Sequence, residues 1–244
     1  MNFGMQKSDD MNLLLASTST VHGAGYLAYF RNAWTQHFSN LNGPVVFIPY
    51  ARPGGISWDE YTAIARKAFV AEGIELKGIH EFDSPEEACQ AAGGFFTGGG
   101  NTFVLLKTLQ DLNVMPHLDH AVRGGKPYMG TSAGSNIAGQ NVRTTNDMPI
   151  VYPSSFDAMG WIPHNINPHY LDPDPGSTHM GETRETRINE FHHYNDLAVI
   201  GLREGSWLQV HGEDITLCGP HRARIFRAQQ TPDEFETGSK LNTL

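Results

Sequence analysis

The sharpest chemical feature of the chain is a serine between glycines, Gly130-Thr131-Ser132-Ala133-Gly134. It lies between an apolar stretch ending in KPYMG and a segment of helical character. In that context a serine on a tight strand-to-helix turn projects its hydroxyl from the carboxyl edge of a sheet. The Ala133 amide, opening the helix, points into the same space and can stabilise a developing oxyanion. Acyl transfer needs two donors converging on one oxygen, and a second glycine turn, Gly98-Gly99-Gly100-Asn101-Thr102, stands where another strand gives way to a helix. That turn is neither G-x-G-x-x-G nor a P-loop, since Lys107 is displaced and no Gly-Lys-Ser/Thr follows, so an oxyanion amide is a better use for it than phosphate binding.

A nucleophilic serine needs a base, and the chain has twelve histidines. His169, in Ile166-Asn167-Pro168-His169-Tyr170, is favoured because a proline stiffens the backbone just before the imidazole. His164, His179, His192 and His193 stay open as alternatives. For the carboxylate that would orient the base, Glu204 directly follows the apolar run LAVIGL and sits beside Gly205. A carboxylate on the loop after a strand can face the same carboxyl edge as the serine. The resulting order, Ser then His then Glu, differs from that of the α/β-hydrolases despite the shared G-x-S-x-G. No H-E-x-x-H or similarly spaced pair occurs, so no metal site is expected.

These residues need strands and helices to hold them. Residues 44–50 (PVVFIPY) suit a strand buried on both faces. Ser57 and Glu60 form a capping box before a helix, residues 74–79 resume an extended pattern, and Ser84 with Glu87 opens a short helix that ends at Gly93. Strand, glycine turn and helix follow at 95–102 and again at 126–139. Such alternation predicts an α/β fold, a three-layer, mostly parallel sheet with helices on both faces. Beyond 140 the pattern loosens into proline-rich loops, then a helix over 183–193, the strand LAVIGL and hairpin-like strands WLQV, ITLC and RIFRA. Residues 1–11 read as a disordered extension, 12–230 as one α/β catalytic domain and 231–244 as a polar tail.

Composition narrows the function. Seventeen basic against 26 acidic residues give a net charge of −9, which repels nucleic acid and anionic membranes. No apolar run approaches the roughly 20 residues of a membrane span, and the first residues have no signal-peptide character, so a cytoplasmic protein is expected. Cys89 and Cys218 form neither a disulfide framework nor a thiolate zinc site.

Taken together, GGGNTF (98–103), SAG (132–134), RTTNDMPI (143–150), INPH (166–169), GETRE (181–185) and IGLREG (200–205) resemble the peptidase E family of α-aspartyl dipeptidases, over nearly the whole chain from residue 12 to 226. The resemblance implies a class I glutamine amidotransferase-like, flavodoxin-like fold and a Ser-His-Glu triad at Ser132, His169 and Glu204. It also implies cofactor-free hydrolysis of small peptides that begin with aspartate, with the amides of Gly99 and Ala133 holding the oxyanion. An acidic side chain demands a fixed cation, and Arg184 is first choice because a guanidinium pairs with carboxylate in a bidentate fork. Arg143 is second, Asp147 or Glu182 would meet the substrate ammonium, and Asn101 counts among the substrate-contacting residues. Thr131 and Ser135 depart from the pattern of many relatives, an aromatic residue and alanine, which bears on pocket shape, and the 170–180 loop is variable. Two other readings stand beside this one: a cyanophycinase, and a catalytically silent module that binds a metabolite or partner protein. The oligomeric state is open, a homodimer included.

Overall fold

Apolar stretches that stop abruptly at small or polar residues become the strands of a seven-stranded sheet. The computed structural model describes residues 11–174, 176, 178 and 180–244. The extension expected over 1–11 lies outside these residues except for Met11, whose side chain is buried, and His179 lies outside them too. The strands are β1 (Asn12–Ala16), β2 (Val45–Ile48), β3 (Leu76–Gly78), β4 (Gly94–Thr97), β5 (Tyr128–Thr131), β8 (Trp207–His211) and β9 (Asp214–Cys218), in the order β3-β2-β4-β5-β1-β8-β9. The first five are parallel, and β8 and β9 are added antiparallel as a hairpin.

Helices cover both faces. Along β1, Leu14 and Ala16 face α1 (Arg31–His37) and α2 (Trp58–Val70), while Leu13 and Leu15 face the side of α4 (Thr102–Asp111) and α5 (Met115–Arg123). Four consecutive buried residues in each of β2, β4 and β5 are what a sheet covered on both sides requires. The Ser57–Glu60 capping box forms as expected, each side chain accepting from the other residue's backbone N–H. Ser84 caps α3 (Pro85–Ala91), but the Glu87 carboxylate accepts from the Asp83 amide, not from that of Ser84. The extended stretch expected over 74–79 gives a strand only at 76–78 before a 3₁₀ turn, and the helix expected over 183–193 runs as α7 (Arg184–Phe191).

A second, four-stranded sheet departs from the simple three-layer expectation. Its order is β11-β10-β7-β6, with β6 (Asn165–Pro168) parallel to β7 (Val199–Leu202) and β10 (Ala223–Phe226) antiparallel to both β7 and β11 (Asp233–Phe235). RIFRA therefore pairs with LAVIGL and not with the WLQV–ITLC hairpin. Residues 231–244, expected as a polar tail, supply β11 and the fully buried Leu241, whose amide donates to the Ile215 carbonyl. Their polar composition hid one well-placed leucine.

The two sheets meet at their carboxyl ends. Ser17, the first residue past β1, is fully buried; its Oγ donates to the Leu202 carbonyl at 2.8 Å and accepts from the His169 amide at 2.9 Å. In the larger sheet, α6 (Ala133–Asn136) sits so close that glycine is compulsory at two positions. A Cβ on Gly130 would collide with the Gly134 carbonyl, and one on Gly134 with the Thr97 carbonyl of β4. Gly134→Ala should therefore cost roughly 2 kcal/mol and lower the melting temperature by about 4–8 °C. Gly55→Ala, where an added Cβ meets nothing within 4 Å, should leave it unchanged; equal melting of both variants contradicts this packing. Ser17→Ala strands a buried donor and acceptor and should cost about 1–3 kcal/mol by thermal denaturation, whereas a neutral result means that the sheets are joined by other contacts.

Candidate active site

Ser132 joins β5 to α6 with φ +54° and ψ −111°, a strained backbone. The turn is held by its surroundings. The Ser132 amide donates to the Ala16 carbonyl at 3.0 Å, the buried Ser135 hydroxyl lies 2.7 Å from Ala16 O and 2.9 Å from Gly130 O, and the Tyr128 hydroxyl donates to the Gly134 carbonyl at 2.7 Å. Ser135 is thus a tie between β1 and β5, and Thr131 is fully buried, so neither departure from the family pattern shapes the open cleft.

His169 follows β6, and it too has a positive φ, +54°. Of the five non-glycine residues with positive φ among the described residues, these two face each other across the junction of the sheets. His169 Nε2 lies 2.9 Å from Ser132 Oγ, and Nδ1 lies 2.6 Å from Glu204 Oε1. A carboxylate only accepts, so Nδ1 carries the proton toward Glu204 and Nε2 is left to accept from the serine hydroxyl. The side chains of His169 and Glu204 remain 38% and 53% exposed, which leaves the relay open to water and to a small ligand.

Glu204 is held by its neighbour. Arg203 uses all five guanidinium donors: two on Asp172 of the loop after His169, two on Glu234 of β11, and one on the Arg222 carbonyl. The hydrogen bonds it donates to Glu234 and Asp172 raise its pKa above the usual arginine range. The two loops that bring imidazole and carboxylate together are therefore clamped to each other. Tyr29, whose hydroxyl donates to the Thr18 carbonyl, has its pKa raised by burial and further by the nearby Glu204 charge.

The glycine turn 98–100 lies against the serine. A Cβ on Gly99 would come within 3.1 Å of Ser132 Cβ, Gly98 leaves room for the Tyr61 hydroxyl, and Gly100, at φ +148°, lies against the Ala51 carbonyl. The Gly99 carbonyl accepts from Tyr61 Oη and from Arg52 Nε, each at 3.1 Å. Tyr61 is buried, and burial raises its pKa while Arg52 opposes that rise. The Ala133 amide heads α6 as one of the donors a helix leaves without an internal partner.

The other expected residues divide between the cleft and the scaffold. Asn101 caps α4 through Oδ1 on the Val104 amide and donates from Nδ2 to the Met148 carbonyl, so both ends of its amide serve the fold. Asp147 accepts from the Thr102 amide at 2.7 Å and from Thr145 Oγ1 at 3.0 Å, and its charge acts on Arg184. Arg184 has its pKa lowered by burial and by Arg187, borders an open depression of about 310 Å³ with Leu171, Asp174 and Glu182, and has no carboxylate within 4.0 Å among the described residues. Glu182 pairs with Arg187 at 3.7 Å. Arg143 is exposed, its guanidinium 6.0 Å from the Phe156 ring centre.

Among the alternative bases, His164 is buried on the Leu241 carbonyl with its pKa lowered by desolvation, His192 is bonded to the Leu197 carbonyl, and His193 is exposed. Ser17 and Arg52 are absent from the sequence reading, and Tyr61 enters it only as an apolar position of the helix after Ser57. The carboxyl-edge rule that selects Ser132 and Glu204 also selects Ser17 and Arg52, since both stand just beyond parallel strands.

The chain is similar to known proteins along most of its length. The model of peptidase family S51 matches residues 13–218. Peptidase E of Streptomyces coelicolor is 50% identical over 234 residues, 96% of this chain and 95% of that protein. A probable alpha-aspartyl dipeptidase of Drosophila melanogaster is 44% identical, covering 96% and 97% of the two chains. In fold, the chain is similar to a peptidase from an acI-B1 Actinobacterium, with a TM-score of 0.70 at 16% identity over 96% of this chain and 98% of that one. It is also similar to a putative peptidase E of Listeria monocytogenes, with a TM-score of 0.56 at 21% identity over 93% and 99%. A family model that spans most of the chain and relatives that align nearly end to end lead to one conclusion: this chain belongs to peptidase family S51, a family of serine-type peptidases.

Proposed function

We propose that the chain is a serine dipeptidase that hydrolyses dipeptides with N-terminal aspartate. The observation that carries this reading is the relay from Ser132 Oγ to His169 Nε2 at 2.9 Å and from His169 Nδ1 to Glu204 at 2.6 Å. Ser132 Oγ attacks the aspartyl carbonyl carbon while Nε2 takes its proton, and Glu204 holds the tautomer and stabilises the imidazolium. The amides of Gly99 and Ala133 take the oxyanion. His169 then protonates the departing amine, and water cleaves the aspartyl ester by the same route. Every proton moves between side chains of the relay and the reactants, so no cofactor is needed. The reading takes the described chain from residue 11 to 244 as one catalytic domain of a cytoplasmic enzyme; among the described residues no helix is long and apolar enough to cross a membrane.

The substrate class follows from charge. Arg184, desolvated and without an ion-pair partner among the described residues, is the cation that reads the aspartyl carboxylate. Asp147, whose charge acts on Arg184, is the better partner for the substrate ammonium, because Glu182 is paired with Arg187. Arg143 is the alternative reader. An asparagine amide matches aspartate in shape but turns a donor toward the guanidinium, and a glutamate's extra methylene displaces either the carbonyl or the carboxylate.

A panel of X-Leu dipeptides tests both parts. Asp-Leu should be cleaved at least about a hundredfold faster than Asn-Leu, with Glu-Leu also poor. Ser132→Ala and His169→Ala should each lose at least about a thousandfold in kcat, because relay members act as a unit. Arg184→Met should remove the Asp-over-Asn preference. Activity of Ser132→Ala within tenfold of wild type ends the serine mechanism, and an intact preference in Arg184→Met moves the reader to Arg143. Cleavage of cyanophycin in place of Asp-Leu assigns the polymer as substrate, and no turnover of either favours a silent binding module.

A further inference from the structure

The protein carries nine more acidic than basic side chains, so a guanidinium without a carboxylate is unusual here. Of its eleven arginines, eight lie within 4.0 Å of an Asp or Glu. Three do not among the described residues: Arg143, Arg184 and Arg52. The first two stand on the α4 side of the larger sheet, Arg143 over Phe156, which packs against Phe103 of α4, and Arg184 in the field of Asp147, which accepts from the first amide of α4. Arg52 stands on the opposite side. Its guanidinium carbon lies 5.0 Å from the ring centre of Tyr61 on α2, and Tyr61 belongs to the core on the α2 face. Cations without a carboxylate partner thus stand on both faces of the sheet, and Arg52 is the one that reaches the Ser132 turn through Gly99.

A dipeptide that begins with aspartate has two carboxylates, one on the side chain and one at the free C-terminus of the second residue. We infer that Arg52 binds the C-terminal carboxylate of the leaving residue and so restricts the enzyme to dipeptides. This rests on the dipeptidase reading, in which Arg184 or Arg143 takes the side chain. Arg52 Nε holds the Gly99 carbonyl at 3.1 Å, and Gly99 packs directly on Ser132, so the guanidinium is one residue removed from the nucleophile. In the substrate, the terminal carboxyl carbon is likewise one residue beyond the scissile carbonyl, roughly 3–4 Å away across the C–N, N–Cα and Cα–C bonds. Two neighbours fix the cation without neutralising it: its Nε is spent on an uncharged carbonyl, and its guanidinium carbon lies 5.0 Å from the ring centre of Tyr61, a neutral phenol. That leaves the terminal nitrogens of the fork for an incoming carboxylate. A longer peptide or a C-terminal amide presents no charge at that distance, so discrimination by length follows from charge placement.

The test compares kcat/KM for Asp-Leu and for Asp-Leu-NH₂, which differ only at the terminal group. Wild type should favour the free acid by about tenfold or more, the scale of one charge-assisted hydrogen-bonded contact. Arg52→Met should bring the ratio close to one, and Arg52→Lys, which keeps the charge without the fork, should retain part of it. Loosening the Gly99 peptide slows both substrates alike, so the ratio separates carboxylate binding from support of the turn. An unchanged ratio in Arg52→Met, or a wild type indifferent to the terminal group, overturns the assignment while leaving the dipeptidase reading intact. A wild type that cleaves no Asp-Leu overturns that reading, and this assignment with it.

Discussion

The serine and the imidazole that faces it come from different sheets, and one buried hydroxyl spans the gap between them. Ser17 Oγ accepts from the His169 amide and donates to the carbonyl of Leu202, two residues before Glu204. The same residue's amide donates to the Ser206 carbonyl, and the Ser132 amide donates to Ala16, so four segments converge on the end of β1. A relay with 2.9 Å and 2.6 Å contacts survives only if these segments keep their places, since a displacement near 1 Å can cost a hundredfold in rate. Without that junction the larger sheet would present a serine with no base.

Strain is the second ingredient, and it is held locally. Ser132 and His169 both occupy positive φ without being glycine. Around Ser132 the opposing contacts are close packing: Gly130 against Gly134, Gly134 against Thr97, and the Ser135 and Tyr128 hydroxyls on neighbouring carbonyls. Around His169 they are hydrogen bonds and charge, the Ser17 hydroxyl on its backbone and the Arg203 clamp on the loops that follow. The stiff arrangement removes the reorganisation that a flexible site would need at the moment of reaction.

Much of this was legible in the sequence where the signal is local. The capping box at Ser57, the helix cap at Ser84, apolar runs ending in glycine turns, and a G-x-S-x-G between strand and helix all report structure within a few residues. What the sequence concealed is non-local. RIFRA reads as a hairpin partner because strand pairing depends on which edge is free, and the β6–β7 edge became available only through a second sheet. Leu241 stands with Phe235 and Leu244 in an otherwise polar stretch, without periodicity to mark it. Asn101 reads as a ligand-facing polar residue, yet both ends of its amide serve the fold at the N-terminus of α4, and Asp147 holds the Thr102 amide there as well, roles that need the 98–102 and 143–150 segments to be adjacent. Ser17 and Arg52 escaped because their residue types carry no motif, although their position beyond a parallel strand was readable.

The central claim is that Ser132 is a nucleophile activated by His169, and covalent capture tests it without assuming any substrate. Intact-mass and peptide mass spectrometry after treatment with a fluorophosphonate should find one adduct, on Ser132, with labelling in His169→Ala slowed at least about a hundredfold although the hydroxyl is still present. An adduct on another residue, or labelling of Ser132 at the same rate without the imidazole, would contradict the account.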